Sequence, residues 1–145
     1  MTTQFAFDES NVSWHPFAGL DHLEFTLCNL DEERQIADLL VKFEPSEKVA
    51  IHNHLAKTNM LIIQGELRMY HTNGDIKEIR KPGEYFEGRT DDCHSEGGGP
   101  DGAVVYYSIR GHGEEDLVEL MDDEQNVVAR VGMPELRAMW AEQHA

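Results

Sequence analysis

Two of the eight histidines in this chain, His52 and His54, stand one residue apart in AIHNHLAKTNMLIIQG, residues 50–65. In an extended strand, side chains i and i+2 leave the same face, so the pair can aim two imidazole nitrogens at one metal ion. The same spacing also describes two solvated histidines on a polar strand, and an HxH alone does not separate these cases. Its context favours the metal: MLIIQG is apolar throughout and Gly65 can turn tightly into the alternating ELRMY, placing the pair at the mouth of a packed hairpin. Thr58 stands four residues after His54, where a carboxylate ligand could otherwise be expected.

A stable site requires at least a third protein ligand. His15 and His22 precede the strand-rich region and His144 follows a helical tail, so all three read as surface residues. His71 falls at a hairpin tip, and His112 lies beyond a strand end in RGHGEED. His94 lies in EGRTDDCHSEGGGPDG, residues 87–102, just before GAVVYYSIRG, and is best placed to return to the interior; His71 and His112 are the alternatives. Glu87, after two aromatics in EYFEG, is either a solvated strand end or the group that orients His94 or a bound water. Glu66 and Glu84 follow turn residues and are expected in solvent, and Cys93 should point away from His94 and pack as a small hydrophobe. Met60, Tyr70, Phe86 and Tyr106 are candidates for a pocket wall, with plain core packing as the competing role. GxSxG, P-loop, GxGxxG and HExxH motifs are all absent, which leaves hydrolase and nucleotide-binding readings unsupported.

The elements that must position these residues are short β-like runs separated by turn residues. HLEFTLCNL alternates, QIADLLVKFEP ends at a proline, KVAIHNH is short, and Asn73-Gly74 is a strong hairpin signal. Eight or more such strands favour closure into a barrel or jelly roll, which removes exposed edges. In MPELRAMWAEQHA a proline opens a helix whose Leu136, Met139 and Trp140 share one face. The expectation is one all-β domain over residues 1–145 with a short C-terminal α-helix. The glycine-rich residues 87–102 read as a long functional loop.

Twelve Lys and Arg against 28 Asp and Glu give a formal charge of −16, which repels nucleic acid and anionic membranes and mildly favours a neutral substrate. Two cysteines are too few for a disulfide framework, and MTTQFAFDESNVSW has neither the basic start nor the apolar run of a signal peptide. A soluble, cytoplasmic protein without a membrane span is expected.

HNHLAKTNMLIIQG resembles the first cupin motif, in which HxH is followed by a glutamate and then a glycine. His52, His54 and Gly65 match, and Thr58 takes the glutamate position; Pro82, Gly83 and His94 approximate the second motif across a longer loop. The pattern is similar to the acetylacetone-cleaving and dihydroxyacetophenone dioxygenases, cupins that hold iron on three histidines without a carboxylate. That resemblance extends to YFEG and to the closing MDDEQNVVARVGMPELRAMWAEQ. It implies a cupin-type β-barrel with Fe(II) on His52, His54 and His94, a site that Zn or Ni can also occupy. With no carboxylate the centre keeps its +2 charge and favours a chelating monoanion, a β-diketone or α-hydroxyketone bound as its enolate. The implied reaction uses O₂ to cleave a C–C bond into a carboxylic acid and a second carbonyl product. Family habit implies a homodimer or higher homo-oligomer. The alternative is a non-catalytic zinc-binding module similar to the cupin domains of some anti-sigma factors, although a helical partner-binding domain would not fit within 145 residues.

Overall fold

The computed structural model describes residues 5–17, 19–90 and 93–145. Its strands are β1 (His15–Phe17), β2 (Leu20–Asp31), β3 (Ile36–Phe43), β4 (His52–His54), β5 (Lys57–Tyr70), β6 (Ile76–Arg80), β7 (Tyr85–Phe86), β8 (Cys93–Arg110), β9 (Asp116–Met121) and β10 (Val127–Gly132), followed by the helix α1 (Met133–Gln143). Period-two burial is clearest in β3, where Ala37, Leu39, Val41 and Phe43 face inward and the residues between them are only half-buried. Together with Phe25 and Leu27 of β2 and Ile62, Leu67 and Val105 across the barrel, they form one apolar core.

Hydrogen bonding joins the strands in the order β1-β2-β3-β8-β4-β9-β10, and β5 pairs with β8 while holding β6 and β7. The seam of this curled sheet is β8. Its first residues pair with β4, its last with β3, and β5 runs beside it along most of its length. The outcome is the expected all-β barrel with a single C-terminal helix. Leu136 of that helix is buried, Met139 and Trp140 pack on the core, and Gln143 Oε1 accepts a hydrogen bond from the Leu27 amide at 2.7 Å. This helix is too short and polar to cross a membrane, and none among the described residues is long and apolar enough to do so.

The hairpin expected at Asn73-Gly74 is present: the His71 amide donates to Asp75 O at 2.9 Å, and Gly74 has φ +95°. Two other expectations are corrected. Gly65 does not turn the chain, because β5 continues through it from Lys57 to Tyr70. At that point Gly65 (φ +78°) crosses Gly102 (φ +79°) so closely that a Cβ on Gly65 would lie 2.2 Å from Gly102 O. The β5–β8 register shifts at this crossing, between Gly65 and Leu67. The second correction concerns residues 87–102: from Cys93 onward they are strand, not loop. Glycine there leaves room for the segment before β4 to lie on β8, where the Val49 amide donates to Glu96 O at 2.9 Å and the Ser46 amide to Gly99 O at 3.0 Å.

Candidate metal centre

β4 is only three residues long, but it is held on both sides: His52 lies opposite His94 of β8 and Leu120 of β9, and His54 lies opposite Val118. This register, with the i, i+2 spacing of the pair, brings three imidazoles together. Ring centroids are 5.0 Å apart for His52 and His54, 4.6 Å for His52 and His94, and 5.4 Å for His54 and His94. One ligand nitrogen from each lies within 4.8 Å of the others. His52 is 5 % exposed and His94 6 %, and His54 opens partly toward a cavity.

Two rings have their outer nitrogens tied back. His52 Nδ1 lies 3.0 Å from Ala50 O, so that nitrogen carries the proton and Nε2 faces the cluster. Thr58 Oγ1 donates to Ala56 O at 3.2 Å and accepts from His54 Nδ1, also at 3.2 Å, which leaves His54 Nε2 as its ligand atom. Thr58, 2 % exposed, therefore orients a ligand rather than filling a ligand position. Thr58→Val removes the acceptor at nearly constant volume, and metal affinity measured by calorimetric titration is expected to fall about 10- to 100-fold.

The ligand group is three histidines without a carboxylate, as expected, but a buried carboxylate lies beside it. Glu96 follows His94 by two residues, so it leaves β8 on the same face. Oε1 is 3.4 Å from His52 Nε2 and accepts from the Tyr107 hydroxyl at 3.0 Å; Oε2 is 3.9 Å from His94 Nε2. Burial opposes a charge on Glu96, yet in the metal-free chain a second proton on His52, at the Nε2 that lies 3.4 Å away, would hold its pKa down at about 2. Burial, then the charges of His52 and His94, push His54 down to about 3, so it is a neutral donor. For His52 burial acts downward too, but Glu96 and the Ala50 carbonyl raise it overall. Burial and the Glu96 charge raise Tyr107 well above an ordinary phenol, keeping its proton available to Glu96.

A cavity of about 340 Å³ reaches His54 and His94 from outside and is walled by Met60, Met69, Phe86 and Arg80. The Arg80 guanidinium lies 3.9 Å from the Phe86 ring centroid and bonds Glu78 at 3.1 Å, while its buried Nε donates no hydrogen bond among the described residues. On the barrel side, an apolar space of about 90 Å³ touches His52, Glu96 and Tyr107.

Of the residues singled out in the sequence, His52, His54 and His94 form the cluster, and Met60 and Phe86 share the cavity. Glu87 lies at that cavity as well, but its carboxylate is 3.5 Å from Lys57 Nζ, and Glu96 is the acid next to the histidines. Tyr70 is buried elsewhere under Lys48, and Tyr106 donates to Asp38 at 2.8 Å on the other face of β8 from Tyr107. His71 and His112 are exposed and apart from the cluster. Glu96, Tyr107 and Arg80 escaped the sequence reading, although HSE at 94–96 carries the same i, i+2 signal as HNH at 52–54.

The donor set suits a divalent metal ion: three imidazole nitrogens lie within 4.8 Å of one another, and a buried carboxylate oxygen beside them, Glu96 Oε2, accepts no hydrogen bond among the described residues.

Comparison with solved structures places the architecture. The chain is similar to an acetylacetone dioxygenase from Acinetobacter johnsonii, with TM-score 0.74 and 15 % identity over 99 % of this chain and 95 % of that one. A candidate acetylacetone dioxygenase from Methylibium petroleiphilum PM1 gives 0.73 and 15 % over 97 % and 96 %. An RmlC-like cupin protein from Ralstonia eutropha JMP134 gives 0.74 and 15 % over 97 % and 86 %. At such identities these likenesses establish the cupin fold. No curated protein matches the chain. The family model for the ChrR cupin-like domain matches residues 2–113, and the chain belongs to that family.

Proposed function

We propose that this protein is a metal-dependent dioxygenase that holds Fe(II) on His52, His54 and His94 and cleaves a C–C bond of a small β-diketone or α-hydroxyketone bound as its enolate. The observation that carries this reading is the histidine cluster, two of whose members, His54 and His94, line a cavity of about 340 Å³ that is also lined by the half-buried side chain of Arg80. Iron held there would supply Lewis acidity toward the two substrate oxygens and electrons for the reaction with O₂. The rest of the task falls to the chain. Arg80, whose side chain lines the same cavity, offers a charge-assisted hydrogen bond to an enolate oxygen. Met60, Met69 and Phe86 give the alkyl or aryl ends an apolar wall, and the apolar space beyond Glu96 offers O₂ a separate approach. Glu87, at the same cavity, is placed to orient water at its mouth.

The test is oxygen uptake after anaerobic Fe(II) loading, with acetylacetone and with a dihydroxyacetophenone as substrates. One O₂ consumed per C–C bond broken, with one carboxylic acid and one further carbonyl product, supports the reading. Iron bound without oxygen uptake on any 1,3-dicarbonyl or hydroxyketone refutes it. Arg80→Leu is expected to lower kcat/KM about 10- to 100-fold, the worth of one hydrogen bond to a charged group, while metal content stays constant.

The family match favours a second reading, a non-catalytic zinc-binding module similar to the cupin domains of some anti-sigma factors. It predicts tight Zn(II) binding and no oxygen uptake with iron.

A further inference from the structure

We propose that the apolar space on the barrel side of the histidine cluster is a binding site for a small nonpolar gas, and that the gas it takes is the O₂ of the proposed reaction. The binding rests on the cavity alone; the identity of the gas rests on the dioxygenase reading.

The first observation is size. The space is about 90 Å³, below the roughly 150 Å³ of an apolar cavity that takes benzene or xenon. It has room for a diatomic molecule or a xenon atom, whereas an aryl ketone needs the cavity of about 340 Å³ on the other side of the cluster. A void of this kind weakens a core, because its lining lacks contact partners on one side.

The second observation is the wall. Phe25, Leu39, Val41, Ile109 and Leu136, all buried, supply most of it. The polar side chains that reach it are engaged with their neighbours: Tyr107 donates to Glu96 Oε1 at 3.0 Å, Thr58 Oγ1 donates to Ala56 O, and His52 Nδ1 donates to Ala50 O. A bound water requires about two to four polar partners. Of the side-chain oxygens here, only Glu96 Oε2 lacks a hydrogen bond among the described residues. Such an interior stays dry and takes up nonpolar solutes in preference to water or ions.

The third observation is the path. His54 and Thr58 are the two residues that line both this space and the larger cavity, so the two spaces meet only at the cluster. The far end of the apolar space lies among Phe17, Leu20 and Val118, which are half-buried. There the β1–β2 turn approaches β9, and a Cβ on Gly19 would lie 3.5 Å from Leu120 Cδ1. Oxygen entering at that end reaches His52 and His54 without crossing the substrate cavity. A bound ketone therefore does not block it.

The probe is xenon under pressure, applied to the metal-free chain and read by methyl NMR shifts. Saturable shifts are expected at Leu39, Val41, Ile109 and Leu136, with the methyls of Met60 and Met69 in the larger cavity unmoved. No response in the first group overturns the gas site and leaves the dioxygenase reading to its own oxygen-uptake test. Leu39→Phe, which fills the space, is expected to abolish the xenon shifts and, in the iron-loaded enzyme, to raise KM for O₂ about 10-fold while KM for acetylacetone stays. Xenon binding lost with KM for O₂ unchanged overturns the assignment to oxygen. Should Leu39→Phe not fold, xenon pressure on the iron-loaded wild type takes its place. Inhibition competitive with O₂ and not with acetylacetone supports the proposal, and absence of inhibition overturns it. A wild type that binds xenon but consumes no oxygen with any 1,3-dicarbonyl or hydroxyketone refutes the dioxygenase reading and, with it, the assignment to oxygen.

Discussion

His94→Ala is expected to abolish stoichiometric metal retention while leaving the barrel folded. His94 is the proposed ligand on β8; it pairs with His52 of β4, and its ring packs 4.6 Å from that of His52. Removing it leaves two histidines on a three-residue strand. Since loss of an outer support alone costs 10- to 100-fold in affinity, loss of a ligand should exceed about 100-fold. The fold has other anchors, because β5 and β8 pair along most of β8 and the apolar core does not depend on this ring. Two measurements check the outcome. Metal content after desalting should fall from about one equivalent in the wild type toward zero. Thermal stability with free metal at 100 times Kd should rise by about 2.7 kcal/mol in the wild type and by nothing in the variant. His71→Ala and His112→Ala, both at exposed positions, should keep full metal content. Retention in His94→Ala and loss in either of the other two would move the third ligand.

The contrast between these histidines shows where sequence pattern carries information. The His52 and His54 pair was readable because strand periodicity is local: two residues separated by one must share a face. The barrel was readable for a similar reason, as in Ala37, Leu39, Val41 and Phe43, and so was the helix with Leu136, Met139 and Trp140. Glu96 has the same local relation to His94, but three glycines follow it and show no face, so the segment resembled a loop. Its extended form is imposed from outside, by hydrogen bonds from the segment before β4 and by β5 alongside. Gly65 misled in the opposite direction. A glycine at positive φ inside an apolar run signals a turn, yet here the positive φ serves a crossing with Gly102, far away in sequence. The choice between Tyr106 and Tyr107 depended on strand phase, and two adjacent aromatics leave the phase undetermined. The pairing of Met60 with Tyr107 sets it, turning Tyr107 inward and Tyr106 outward.

Gly97→Ala is expected to destabilise the protein by about 3 kcal/mol or more, at the upper end of what overpacking costs, although it adds one methyl to a strand. The cause is steric alone. Gly97 is not among the glycines with positive φ, so its backbone suits any residue, but a Cβ there would lie 1.9 Å from Glu47 O and 3.1 Å from Lys48 Cα. Those are backbone atoms, and they have no freedom to move aside. Lys48 bridges Gly97, the Val49 amide donates to Glu96 O, and Ser95 Oγ donates to Val49 O at 2.8 Å. Gly83→Ala isolates the other way in which a glycine can matter. Gly83 has φ +87° with nothing within 4 Å of a new Cβ, so the cost is conformational, about 1 kcal/mol. For a domain of this size the difference corresponds to a melting temperature roughly 5 °C lower, or more, for Gly97→Ala than for Gly83→Ala. If the two variants melt together, the close approach of the 44–49 segment to β8 is not what requires glycine. The two should also differ at the metal site. Glu96 precedes Gly97 directly and its carbonyl receives the Val49 amide, so pushing that segment away shifts the Glu96 side chain relative to His52 and His94. Metal affinity should therefore fall in Gly97→Ala and stay at the wild-type value in Gly83→Ala.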